Sequence, residues 1–365
     1  MGAFPPEPAN LDWSTVKLAN LPETNGHVEV HYSTSAHTWG QPQLVQDPYM
    51  RVHGLAPGLN YGQQCYEGLK AFRTNNKAHA IHVFRPQAHA ARLRNSAAMV
   101  LLPEVPDELF LECVRMVVVA NAEFVPPADN DTGFLYLRPV LFGAGPQLLL
   151  QPPEHVILAV YVTPMCSPVH GTSDVDALVL DEFDRAAPRG VGAGKLGGNY
   201  APVWPFSVKA AEAGFAITLH LDSETRSLVQ EFSTSGFVGV VTAGGKRELY
   251  VPETDNAVRS VTSDSLLAVA KGQGWQVYRE KPFIPLTTQQ VPFAGLNRFS
   301  QVFAVGTGAT AVPVRSVTRP ATGEKYNFSP EGPGTTLVKR LLEVQRGSQS
   351  AEPDWCWTVR TNEEL

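Results

Sequence analysis

A mixed α+β fold in two parts is predicted by three observations. The 365 residues are enough for two hydrophobic cores. Strand-like and helix-like segments alternate through both halves. A turn-rich stretch divides them, where Pro164, Ser167, Pro168, His170, Gly171, Thr172 and Ser173 break every periodic pattern. The expected domains are 1–168 and 177–365, the first the smaller, with 169–176 as connector.

In the first half, Pro86 to Leu102 reads as a helix rich in alanine and punctuated by Arg92 and Arg94. Pro106-Asp107-Glu108 starts a second helix, its acids at the end where the helix dipole favours them, with Leu109, Leu111, Val114 and Val117 following. Phe134–Leu141 and Val156–Val162 are strands by their β-branched and aromatic content. Pro139 lacks an N–H donor and is expected to mark an edge or an exit of the first. The second half resumes with a strand at Ala177–Leu180. A helix is expected from Asn199, a good N-cap, to Gly214, with Pro205 kinking it or delaying its start. Two more run from Ser263-Asp264 to Gly272 and from Thr335 to Gln345. There is no internal repeat.

Composition removes several function classes. An apolar share of 43% with 18% charged residues fits a soluble globular chain. A net charge of −6 leaves no basic excess to neutralise phosphates, which argues against a nucleic-acid partner. The longest apolar runs, such as Val156–Val162, have strand length, so no membrane span is expected. The N-terminus carries Glu7, Asp12 and a proline cluster before Lys17, unlike a secretory or transit signal. Cys65, Cys113, Cys166 and Cys356 are scattered, with no C-x-x-C, and read as reduced structural thiols. A cytoplasmic protein without a metal is the expectation.

The run Gly190-Val191-Gly192-Ala193-Gly194-Lys195-Leu196-Gly197-Gly198-Asn199-Tyr200 sets one lysine among five glycines, with a tyrosine five residues on. Glycine lets the backbone approach a flat ligand closely, and a Schiff-base lysine needs such a place. The formal G-x-G-x-x-G at 192–197 follows a segment too charged to be a buried strand. A phosphate loop is excluded by Arg189 and Leu196 at positions that need Gly and Ser or Thr. A flexible surface loop remains the plain alternative. A lysine Schiff base suggests a carbonyl cofactor. Pyridoxal phosphate would further need a guanidinium and a helix N-terminus for its phosphate, an acid for its ring nitrogen and a donor for its phenolic oxygen. Each candidate has an ordinary alternative: Arg92 as a solvated helix arginine, Tyr200 as a packing residue, Glu231 as one half of a buried ion pair, Val261-Thr262 as a helix cap and Gly306-Thr307-Gly308 as a connecting turn.

Tyr66-Glu67-Gly68-Leu69-Lys70-Ala71-Phe72-Arg73, Tyr136-Leu137-Arg138-Pro139, Gly194-Lys195-Leu196-Gly197-Gly198-Asn199-Tyr200, Glu231 and Val305-Gly306-Thr307-Gly308 stand in a telling order. From about Asn25 to Thr358 the chain resembles the branched-chain amino-acid aminotransferases, in their eukaryotic-like form. These are pyridoxal 5'-phosphate enzymes of fold type IV, with the cofactor between two α/β domains. The resemblance implies that Lys195 binds the cofactor and shuttles the proton, that Tyr200 meets the phenolic oxygen, and that Glu231 meets the pyridine nitrogen. It gives the phosphate to Arg92, Val261, Thr262 and Thr307. On the substrate side it places Tyr61, Tyr66, Tyr136, Arg138, Thr234, Thr307 and Gly308, with Arg138 for the second carboxylate of glutamate. Leu148 and Leu150 match a loop that reaches a neighbouring subunit's site, which implies a homodimer.

Where the family reads Gly-Thr-Met-Asn, this chain has Ser233-Thr234-Ser235-Gly236, so small residues are expected to leave room in the donor pocket. The mammalian C-x-x-C falls on Ala309 to Val312, and the tail beyond Trp357 is longer than usual. The implied activity is transfer of an amino group between a branched-chain or similar hydrophobic L-amino acid and 2-oxoglutarate, in amino-acid biosynthesis. Rival readings are a transaminase of specialised metabolism with another donor (a D-amino acid or an (R)-amine), a lyase of the same fold, or a non-catalytic pyridoxal-phosphate-binding protein.

Overall fold

The computed structural model describes residues 4–16, 20–74, 80–166, 174–252, 254–279, 290–347 and 355–361. Contacts divide the chain into two units. One holds Met1–Val169 with Lys195–Gly197 and Glu343–Leu365; the other holds His170–Gly194 and Gly198–Leu342. Most of the expected connector at 169–176 lies outside the described residues.

The first unit contains β1 (His27–Ser33), β2 (Thr38–Trp39), β3 (Gln43–Val45), β4 (Gln64–Tyr66), β5 (Leu69–Arg73), β6 (Ile81–Phe84), β7 (Phe134–Gly143) and β8 (His155–Met165). With a C-terminal strand, Cys356–Thr358, these form one sheet in which β7 lies between β5 and β8. Helices α1 (Pro57–Asn60), α2 (Pro86–Met99) and α3 (Asp107–Ala120) accompany it. Both longer helices start at the predicted residues, because proline fits the first turn and Asp107 and Glu108 meet the positive end of α3. Their apolar sides, with Leu93, Phe110, Val114 and Val117, join the wholly buried Leu69, Leu135, Leu137 and Leu158 in one core.

Pro139 is no edge. It sits within β7 opposite Val160, with strands on both sides. In an antiparallel pair, alternate residues turn both backbone polar groups away from the partner. Pro139 turns toward the break between β4 and β5, where its carbonyl accepts the Glu67 N–H at 2.9 Å. The missing donor falls where no ladder bond is required.

The second unit contains β9 (Val175–Val179), β10 (Ile217–Leu221), β11 (Val229–Phe232), β12 (Gly236–Ala243), β13 (Lys246–Tyr250), β14 (Gln276–Tyr278), β15 (Gln301–Gly306), β16 (Thr310–Arg319) and β17 (Glu324–Asn327). They form one sheet of mixed parallel and antiparallel pairs. The helices are α4 (Trp204–Glu212), α5 (Val261–Gly272) and all but the last three residues of α6 (Pro333–Gln345). Helix α4 starts at Trp204 rather than Asn199. Pro205 is tolerated only in a first turn, and two short 3-10 turns precede it. Asn199 does not cap this helix: its side-chain amide donates to the carbonyls of Val191 at 2.7 Å and Gly194 at 2.9 Å. Phe232, Phe237, Leu219 and Leu296 form the core. Among the described residues no helix is long and apolar enough to cross a membrane.

Candidate active site

Lys195 is held by its backbone in the first unit. Its N–H donates to Ser96 Oγ on α2 at 2.9 Å, and its carbonyl accepts the Tyr66 N–H at 3.0 Å. Leu196 continues this as a β-bridge to Cys65. The half-buried lysine then places Nζ 4.5 Å from the centroid of the Tyr66 ring. Arg138 lies on the same ring, its guanidinium carbon 4.9 Å from the centroid, and 5.2 Å from that of Tyr136. Arg138 also donates to the Tyr136 hydroxyl at 2.8 Å. Residues 136 and 138 share one face of β7 by strand periodicity. Gly68 makes room for them, since a Cβ there would overlap the Tyr136 hydroxyl.

Lys70 is the other lysine of interest in this unit. Burial, then the nearby Arg346, push its amine down to about 7. It is enclosed at 4% exposure over the Phe134 ring, so a ligand cannot reach it. Of the two, Lys195 is the more exposed.

Arg92 is engaged within the protein. Its Nε donates to Glu67 Oε1 at 2.6 Å and its Nη2 to Oε2 at 2.8 Å, while His89 Nδ1 lies 2.8 Å from Oε2. Burial alone would raise the Glu67 carboxyl, but the Arg92 guanidinium and His89 hold it well below the usual carboxylate range. An arginine carries five N–H donors in a fixed fork, so this grip fixes its orientation without using every donor. Sequence reasoning missed Glu67, His89 and Ser96. A signal existed, because 89, 92 and 96 are spaced as one helical stripe of polar residues in an alanine-rich helix. Tyr61 is exposed and donates to the Leu148 carbonyl at 2.8 Å, and Leu148, Leu149 and Leu150 are exposed with it.

The second unit gathers the other candidates. Glu231 is buried in β11, in an ion pair of 2.6 Å with Arg185, whose side chain is 3% exposed. The Arg185 guanidinium carbon lies 5.9 Å from the Tyr200 ring centroid, and Nη1 is 3.4 Å from the carbonyls of Gly192 and Asn256. Gly192 lets the loop lie close to its neighbours, since a Cβ would overlap Ala186 and the Asn256 carbonyl. Across β10, His220 pairs in register with Glu231. Burial first, then the Arg185 charge, push its imidazole down to about 3, so it is neutral. Arg185 had no sequence signal, because only the fold brings it to Glu231.

Gly236 pairs with Glu231 on one side and with Val305 on the other. It also faces the start of α5, where Ser260 Oγ accepts the Ser263 N–H at 3.1 Å. The buried Val261 and Thr262 form the first turn of that helix, whose N–H groups have no intrahelical acceptor. At the neighbouring corner, a Cβ at Gly306 would sit 3.5 Å from Ser235 Cβ and 3.6 Å from the Thr234 carbonyl. The Thr234 turn and the half-buried Gly306-Thr307-Gly308 turn therefore meet. The expected room beside Gly236 is taken up: a Cβ there would stand 3.3 Å from Ser263 Oγ and 3.5 Å from Ser260 Cβ.

Each unit offers groups of the kinds that pyridoxal phosphate uses: the first an amine over an aromatic ring, the second a buried carboxylate, a tyrosine and a capped helix start. Among the described residues no three His, Cys, Asp or Glu side chains group as a metal site would require.

Comparison with known proteins agrees. The amino-transferase class IV family matches residues 64–317. Aminotransferase poxL of Penicillium oxalicum is 42% identical over 98% of this chain and 95% of its own length. Aminotransferase TOXF of Cochliobolus carbonum is 42% identical over 97% and 98%. Transaminase AMT5 of Alternaria alternata is 42% identical over 95% and 91%. In fold, the chain is similar to the branched-chain aminotransferase of Thermoproteus uzoniensis, with a TM-score of 0.71 at 22% identity, covering 87% of this chain and 97% of that one. It is also similar to that of Thermobaculum terrenum in its PLP form, with a TM-score of 0.72 at 20% identity, covering 93% and 100%. The chain belongs to the class IV aminotransferases, with the type IV fold of that family.

Proposed function

We propose that this aminotransferase moves the amino group between a branched-chain or similarly hydrophobic L-amino acid and 2-oxoglutarate. The observation that carries the reading is Tyr66, whose ring has Lys195 Nζ at 4.5 Å and the Arg138 guanidinium at 4.9 Å. An amine, an aromatic wall and a guanidinium together suit a site that takes an apolar side chain and a second carboxylate in alternate half-reactions. The cofactor is pyridoxal 5'-phosphate, as in the rest of the family. When bound, it supplies a carbonyl for imine formation and a ring that withdraws electrons from the substrate Cα.

In this reading Lys195 Nζ binds the cofactor and then moves the proton at Cα. Tyr200 donates to the phenolic oxygen, and Glu231 holds the proton on the ring nitrogen. Arg92 and the first turn of α5, at Val261 and Thr262, hold the phosphate with Thr307. Thr234 and the Thr307-Gly308 turn receive the substrate α-carboxylate, and Tyr136 and Arg138 orient the second one. The exposed Tyr61, Leu148 and Leu150 are proposed to serve a partner subunit in a homodimer.

A second reading keeps the transaminase chemistry with a different donor, such as a D-amino acid or an (R)-amine. It is favoured by Ser235, a small residue where the family has methionine, at the turn facing Gly306. A panel of L-branched-chain, aromatic, D-amino-acid and amine donors with 2-oxoglutarate, followed by glutamate release, decides between them. Turnover confined to D-amino acids or amines would overturn the first reading.

A further inference from the structure

We propose that Arg185 is the positioning residue for the cofactor's ring nitrogen, aiming the Glu231 carboxylate and tying it to the glycine loop and to Tyr200. The proposal rests on the reading in which Glu231 meets that nitrogen.

An ion pair that served packing alone would need only its two members. Arg185 reaches further. One buried guanidinium touches Glu231 at 2.6 Å, lies over the Tyr200 ring at 5.9 Å, and approaches the carbonyls of Gly192 and Asn256 at 3.4 Å. Gly192 belongs to the loop whose other carbonyls, on Val191 and Gly194, are held by Asn199. Arginine's planar fork suits such a junction, since it presents fixed donors in several directions within one plane.

The electrostatic setting points the same way. Glu231, at 6% exposure, needs a cation to remain a carboxylate, and only a carboxylate holds a proton on a pyridine nitrogen. His220 stands opposite Glu231 and is neutral, so it adds no positive charge there, whereas the Arg185 guanidinium does. Thr218 adds only a hydroxyl, 3.4 Å from His220 Nε2. Removing Arg185 would therefore release both the charge state and the direction of Glu231.

The test compares wild type, Arg185→Lys, Arg185→Met and Glu231→Gln as purified holoenzymes. Three quantities are read: the dissociation constant for pyridoxal phosphate, the pH midpoint of the visible cofactor band, and the melting temperature. Arg185→Met is expected to weaken cofactor binding by about tenfold or more, because it leaves the buried Glu231 carboxylate without this charge partner. It is also expected to move the band's midpoint by about half a pH unit or more. Arg185→Lys keeps the charge but loses the fork, so it should restore the melting temperature and only part of the midpoint. If Arg185→Met does not fold, Arg185→Lys alone carries the test through that midpoint. A lowered melting temperature with unchanged affinity and midpoint in the Arg185 variants would reduce the pair to packing and overturn the proposal. Wild-type affinity and midpoint in Glu231→Gln would instead overturn the assignment of Glu231 itself.

Discussion

At Lys195 the backbone is fixed by Ser96 and Tyr66, while the amine lies over an aromatic face. Lys195→Ala keeps both backbone hydrogen bonds, so its circular dichroism should match wild type. Turnover should fall by roughly two to four orders of magnitude or more, because in the proposed role one group supplies both nucleophile and proton carrier. Near wild-type turnover would transfer the role to another lysine; the buried Lys70 cannot take it without opening the sheet. Gly68 makes a second test at this scale. A methyl at 68 would collide with the Tyr136 hydroxyl and disturb its bond from Arg138. Gly68→Ala is therefore expected to raise KM for 2-oxoglutarate by about tenfold, a charge-assisted hydrogen bond's worth, with a smaller effect on apolar donors. Equal increases for donor and acceptor would show that Arg138 does not select the second carboxylate.

Strand β12 and helix α5 correct one expectation and supply a prediction of their own. Small residues at 235 and 236 suggested added room in the donor pocket. The start of α5 closes on Gly236 instead, with Ser263 Oγ and Ser260 Cβ within 3.5 Å of where a Cβ would stand. Gly236→Asn should therefore shift the first turn of α5 and weaken cofactor binding, with the order of donor preference unchanged, at a cost of about 1–3 kcal/mol typical of overpacking. Ser235→Met, at the turn facing Gly306, should change the donor order instead. Measuring the cofactor dissociation constant and kcat/KM for valine, leucine and a larger donor separates the two, and a changed donor order in Gly236→Asn sinks the argument. The same elements show what could be read in advance. Helices α2, α3 and α5 and strands β7 and β8 follow from local periodicity and capping, which depend on neighbours in sequence. Pro139 and Asn199 were misjudged because their roles depend on a break in an adjacent strand and on carbonyls of a loop. Local propensity contains neither. The lysine loop, Glu231 and Arg138 were legible as motifs. Arg185 was not, since a buried charge finds its partner through topology rather than spacing; of the Glu67–His89 pair only His89 had a signal, its place in the polar stripe of α2.

Across the whole molecule, buried histidines set an acid limit on stability. His82 and His89 in the first unit and His220 in the second all have their imidazoles pushed down, chiefly by burial. Near neutral pH they are uncharged whether folded or unfolded, and they contribute nothing to the pH dependence. As pH falls below 6.5 the unfolded chain binds protons that the folded chain refuses, so stability declines. For His220 the window runs from 6.5 down to about 3, at ~1.4 kcal/mol per pH unit once the unfolded imidazole is protonated. Glu67 acts in the same direction at lower pH, because its depressed carboxyl adds stability that is lost as the pH falls through the carboxylate range. The net charge of −6 works against this, since acidification from neutral pH relieves repulsion. That relief is spread over exposed, screened charges, whereas the histidine contribution comes from buried sites, so the histidines should win. The melting temperature is expected to fall between about pH 7 and about pH 5, before most carboxylates take up protons. In His220→Asn, which cannot titrate, the fall should be shallower over the same interval. A flat melting temperature in wild type, or identical slopes in the two proteins, would show that His220 does not contribute to the acid limit.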